Sequence, residues 1–138
     1  NSKILDLFAG SGSFGLECIS RGAKKVIFLE NYTKILSILK KNIFSIHAEN
    51  NCEIIKKDCF DFFLNSKLEN KFDLIFLDPP YKEQKINLII EKIKENMVLK
   101  ENGIMIIHRH KKDNLKISKK INILDERIYG ISKITIGN

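Results

Sequence analysis

Asp78-Pro79-Pro80-Tyr81 follows directly on an apolar run of strand length, Phe72-Asp73-Leu74-Ile75-Phe76-Leu77. Such a run needs cover on both faces, as in a parallel sheet between helices, and ligands of these sheets bind beyond the carboxyl ends of the strands. Asp78 therefore stands where chemistry is done. Two consecutive prolines fix two φ angles and offer no N–H, so the chain leaves the sheet with free carbonyls and a stiff course. An acid, a rigid corner and an aromatic ring at one point suit a planar substrate. The competing role for the four residues is an acidic turn after a buried strand.

A second cluster lies near the start of the chain. Gly10-Ser11-Gly12-Ser13-Phe14-Gly15 satisfies G-x-G-x-x-G between a strand and a helix, the arrangement that cradles dinucleotide phosphates. The same tight turn serves any nucleoside cofactor lying across the first strand. Glu30, ending the second strand with Asn31 behind it, is placed to accept from both ribose hydroxyls. Asp6 separates the possibilities. A carboxylate inside the first strand, ahead of Phe8-Ala9-Gly10, is costly unless hydrogen-bonded or set near a cationic group. Anionic phosphates would not favour it, whereas the ammonium and sulfonium of S-adenosylmethionine would. Asp58, at the end of the third strand before Cys59, can accept from an adenine amine while neighbouring backbone meets the ring. Its ordinary job would be to cap the following helix, and Asp61 would compensate that helix's dipole. The candidate cofactor set is Asp6, Phe8, Ala9, Gly10, Gly12, Glu30, Asn31, Asp58, Cys59 and Asp78. No metal site is expected.

The elements that must position these residues alternate. Strands are predicted over Lys3–Phe8, Lys25–Glu30, Cys52–Lys57, Phe72–Leu77 and Ile104–His108, and helices over Ser13–Ser20, Tyr32–Ile46, Phe60–Leu64 and Ile86–Met97. Arg21-Gly22 ends the first helix. Lys120–Tyr129 and Ser132–Ile136, joined at Gly130, have no room for a helix between them and imply a hairpin. Five β-α units closed by that hairpin imply an α/β, doubly wound, mostly parallel sheet with helices on both faces and one antiparallel strand at its edge.

The 138 residues, 43% hydrophobic, suit a single domain. Lys and Arg outnumber Asp and Glu by 24 to 17, for a net charge of +7, which favours a polyanionic partner. The lysine pairs are dispersed, however, and a solvated surface accounts for most of them. Cys18, Cys52 and Cys59 have neither disulfide nor zinc spacing, which fits a reducing cytoplasm. No run reaches the roughly 20 apolar residues of a membrane span. The chain opens almost on a strand and reads as the core of a longer protein.

With Asp6-Leu7-Phe8-Ala9-Gly10-Ser11-Gly12, Glu30, Asp58 and Asp78-Pro79-Pro80-Tyr81 in this order, the chain resembles class I S-adenosylmethionine-dependent methyltransferases of amino nitrogens. More narrowly, it resembles the bacterial 16S ribosomal RNA guanine-N2 methyltransferases, through Gly15-Leu16-Glu17, Ser20-Arg21-Gly22-Ala23 and the segment Phe72–Tyr81. The resemblance implies a Rossmann-like fold, S-adenosylmethionine as methyl donor, and Asp78, Pro79, Pro80 and Tyr81 as the catalytic set. It implies ribosomal RNA as partner, free or in an assembling small subunit, and a monomeric enzyme. DNA adenine-N6 methyltransferases share the tetrapeptide, and a non-catalytic RNA-binding module could share the fold. Two departures stand out: the family's segment upstream of the first strand is not in this sequence, and His108-Arg109-His110 stands where the family often has an acid. The histidines there are expected on the surface or facing RNA, and His47 at a helix C-terminus.

Overall fold

A computed structural model describes residues 1–65 and 71–138. Strands β1 (Lys3–Leu7), β2 (Lys25–Leu29), β3 (Cys52–Ile55), β4 (Phe72–Leu77) and β5 (Leu99–His110) run parallel, with β6 (Ile123–Tyr129) and β7 (Ser132–Gly137) following. Helices α1 (Ser13–Ser20), α2 (Thr33–Ser45), α3 (Cys59–Asn65) and α4 (Ile86–Glu95) fill the crossovers. The strand order is β3-β2-β1-β4-β5-β7-β6, so the direction of winding changes between β1 and β4. That is where an open α/β sheet makes its ligand crevice.

Apart from Asp6 and Asp73 the central strands are mostly apolar, because each face is covered by a different helix pair. Ile4, Val26 and Phe28 pack with Leu39 and Ile43 of α2 and with the half-buried residues of α1. On the opposite face Leu5, Leu7, Ile27, Leu29, Ile75, Leu77, Met105 and Ile107 pack with Phe62 and Phe63 of α3 and with α4. Ile86, Ile89, Ile90 and Ile93 are all buried, and their i, i+3, i+4, i+7 spacing makes one stripe.

Two expectations change. The reversed strand is not at the edge: β7 lies between β5 and β6 and is antiparallel to both, which leaves β6 as the edge, in the direction of the parallel set. A hairpin can dock by either arm, and it is β7, with Thr135 and Gly137 buried, that suits the inner position. The fifth unit also has no helix, since a loop joins β5 to β6.

Boundaries move for local reasons. Asp58 Oδ1 accepts from the N–H of Phe60 at 2.8 Å and of Asp61 at 3.2 Å, so the cap starts α3 at Cys59. Helix α4 stops at Glu95 because Met97 takes a left-handed φ of 50° and Val98 N–H bonds back to Ile93 C=O. His47 does the same after α2, with φ 54°. Strand β5 starts early, at Leu99 opposite Phe72, then skips to Ile104 opposite Leu74. Cys18, Cys52 and Cys59 are free thiols, and among the described residues no helix is long and apolar enough to cross a membrane.

Candidate active site

Between β1 and α1 the chain takes three left-handed residues, Phe8 (φ 61°), Gly10 (φ 55°) and Gly12 (φ 83°). A left-handed non-glycine residue costs about 1–2 kcal/mol, and Phe8 spends it at the rim of the crevice. Beneath this turn Asp6, 1% exposed, accepts the Gly15 N–H at 3.0 Å, one of the donors that the start of α1 leaves unpaired. Burial pushes the Asp6 carboxyl up to about 8 against the pull of the Gly15 N–H, and the negative Asp78 and Glu30 add to the rise. The carboxyl therefore holds its proton at neutral pH. Asp6 acts from under the turn; it does not line the crevice.

Glu30 ties the turn to the end of β2. Its Oε2 accepts from Gly10 N–H at 2.8 Å, and its Oε1 from the N–H groups of Asn31 and Tyr32, each at 2.9 Å. Three of about four acceptor positions are thus in use, so a ribose diol would have to displace one of these bonds. Asp58 performs its capping task through Oδ1, while Oδ2 receives Asn31 Nδ2 at 3.4 Å. Cys59 is buried, and its thiol is pushed up to about 12 by that burial, against a hydrogen bond with the Phe8 backbone.

Phe8, Glu30, Asn31 and the unforeseen Tyr32 meet Asp78, Pro79, Pro80 and Tyr81 around a cavity of about 440 Å³. Ala9, Gly10 and Gly12 form the turn behind it. Tyr81, 60% exposed, also walls a second cavity of about 650 Å³ with His110, Lys112 and Lys116. The loop flooring this second cavity is pinned by Arg109, buried and ion-paired with Asp113, whose Oδ1 also accepts Leu115 N–H at 2.9 Å.

The end of β5 departs furthest from expectation. Strands β4 and β5 align Leu77 with Ile107, so the next residues, Asp78 and His108, emerge side by side. His108 Nδ1 lies 2.7 Å from Asp78 Oδ1, with the side chain 22% exposed. His108, half-buried, is thus a partner of the acid, a contact not foreseen from the sequence. His110 does face outward: its ring stands edge-on to Tyr81, centroids 5.7 Å apart, and its Nδ1 accepts Lys112 N–H at 3.0 Å. The signal for His108 was available in the sequence only to a reader who knew that β5 neighbours β4.

A family profile described as Conserved hypothetical protein 95 matches residues 1–138. The ribosomal RNA small subunit methyltransferase D of Haemophilus influenzae is 36% identical over 131 residues, 94% of this chain and 68% of that protein. A solved structure of a conserved hypothetical protein from Streptococcus pyogenes superposes with a TM-score of 0.89 at 35% identity, covering 99% of this chain and 84% of the other. The SAH-bound methyltransferase PaMTH1 of Podospora anserina superposes with a TM-score of 0.78 at 16% identity, covering 98% of this chain and 70% of that one. That last likeness is one of fold, the Rossmann-like fold of class I methyltransferases.

Proposed function

Because the chain belongs to the family described as Conserved hypothetical protein 95, with small-subunit ribosomal RNA methyltransferase D among its relatives, we propose that it methylates an exocyclic amine of a nucleic-acid base. The donor in this reading is S-adenosylmethionine and the acceptor N2 of a guanine in 16S ribosomal RNA. The observation that carries it is the placement of Asp78-Pro79-Pro80-Tyr81 at the end of β4, on the wall shared with Phe8 and Glu30. The carboxylates of Glu30 and Asp78 line the crevice and give it a negative potential, which suits a sulfonium and an ammonium. A dinucleotide phosphate fits poorly, since the Gly10 N–H it would seek already serves Glu30.

Phe8, Glu30, Asn31 and Asp58 would hold the nucleoside half of the donor, and the turn Ala9–Gly12 its chain. When bound, S-adenosylmethionine supplies an electrophilic methyl group. The acceptor side belongs to this chain. An exocyclic amine conjugated to a ring is a poor nucleophile until acceptors draw its nitrogen toward tetrahedral geometry. The Asp78 carboxylate and the Pro79 carbonyl are the acceptors, and Tyr81 fixes the plane of the ring. The amine becomes acidic only after attack, so Asp78 positions first and takes a proton late. A guanine within paired RNA must be extruded to reach this point, and an exposed ring at the crevice mouth suits that. The strand then continues past Tyr81 into the second cavity, where Lys112 and Lys116 meet its phosphates. We place the enzyme in the cytoplasm as a monomer, acting on ribosomal RNA free or in an assembling small subunit.

The test is transfer of labelled methyl from S-adenosylmethionine to total RNA and DNA by the full-length protein, followed by nucleoside identification. N2-methylguanosine in 16S RNA is expected. N6-methyladenosine in DNA would replace the substrate assignment, and absence of both label and calorimetric donor binding would leave a non-catalytic module.

A further inference from the structure

We propose that His108 is a positioning residue that holds the Asp78 carboxylate in the orientation needed to receive the target amine. The assignment rests on Asp78 being the amine clamp. A carboxylate oxygen does not sit 2.7 Å from a bare ring nitrogen, so a proton lies between Nδ1 and Oδ1, and in the neutral ring it belongs to Nδ1. Oδ1 is thereby committed to the protein, and Oδ2 is left to the substrate.

Asp78 needs such a partner. Its side chain is 46% exposed, on a residue just past the strand's last paired position, and the Glu30 carboxylate lines the same cavity. Left alone, the carboxylate would turn toward water, away from its like-charged neighbour. His108 is the more rigid member of the pair. It lies within β5, aligned across the sheet with Ile134 of β7, and both strands of that ladder continue past it to His110 and Ser132. The backbone of two strands thus fixes the imidazole, and the imidazole fixes the acid. Misplacing a reacting group by about 1 Å costs on the order of 100-fold in rate, which sets the effect to look for.

The experiment uses the full-length enzyme, its RNA substrate and three single variants. His108→Leu removes the donor, and His108→Asn keeps one, because Asn Nδ2 stands close to where His Nδ1 was. For His108→Leu, kcat is expected to fall by about 100-fold with KM for RNA and the calorimetric Kd for S-adenosylmethionine unchanged, which also shows that the variant is folded. His108→Asn is expected to recover most of the lost rate. In an Asp78→Asn background, His108→Leu is expected to add little. Wild-type kcat in His108→Leu, or an equal loss in His108→Asn and His108→Leu, overturns the assignment. Asp78→Asn alone reports on the clamp: wild-type turnover there removes the functional reading itself, while a dead Asp78→Asn with an active His108→Leu removes only the role of His108.

Discussion

Asp6 and Asp78 lie on neighbouring strands at the same end of the sheet, one beneath the crevice and one lining it, and their surroundings give them opposite characters. Asp6 is sealed under the glycine turn and holds a proton up to about pH 8, while an unfolded chain would release it near 4. Between those values the unfolded state binds fewer protons than the folded one, so the ligand-free protein should lose stability as pH rises from about 4 to about 8, then level off. Melting temperatures across that range are expected to show the decline in wild type and a flatter profile in Asp6→Asn, which keeps an acceptor for Gly15 without the titration. A bound ammonium or sulfonium should expel the same proton. Calorimetry of S-adenosylmethionine binding at pH 7 in two buffers of different ionisation enthalpy should detect proton release in wild type and less in Asp6→Asn. Asp78, half-exposed beside His108, has the other task. Asp78→Asn should leave donor affinity nearly intact and lower kcat by about 10²–10³-fold, the scale set by loss of one preorganised polar group; unchanged kcat would remove it from the mechanism.

The turn between β1 and α1 shows how much one element asks of its residues. Gly10 and Gly12 both have positive φ, but a Cβ on Gly10 would meet nothing within 4 Å, whereas one on Gly12 would lie 2.3 Å from Leu39 Cδ1. Gly10→Ala should therefore cost only the left-handed backbone, about 1–2 kcal/mol. Gly12→Ala should add about 1–3 kcal/mol of overpacking against α2. Urea midpoints of the two variants test the order, and equal losses would contradict the packing. The turn was legible in the sequence as a glycine pattern, but the reason for its second glycine was not, because Leu39 arrives from a helix two elements later. The same holds at the strand ends. Alternating apolar and turn residues mark β4 and β5 well enough, yet Asp78 meets His108 only because the sheet sets those strands side by side.

At the scale of the molecule, the excess of 24 basic over 17 acidic residues is too dispersed in sequence to define a face. Folding concentrates part of it. Lys112 and Lys116 line the cavity next to Tyr81, and the nearby acid, Asp113, is neutralised from behind by Arg109. If that cavity carries the RNA backbone, replacing both lysines by alanine should weaken RNA binding uniformly across sequences. It should also reduce the slope of log K against log salt by about two, measured by titration at several salt concentrations. An unchanged slope would send the strand along another path.

The sequence by itself determined the order and kind of most elements, the strand-end placement of Asp78, Glu30 and Asp58, and a crevice suited to a cationic nucleoside donor. Those features depend on periodicity, turn chemistry and the cost of burying charge, all of which are local. Only the tertiary structure decided that β7 lies inside β6, that Asp6 sits out of reach beneath the turn, and that His108 stands against Asp78. Each of these depends on which strands are neighbours, and hydrogen-bonded pairing between segments far apart in the chain leaves no periodic trace in either one.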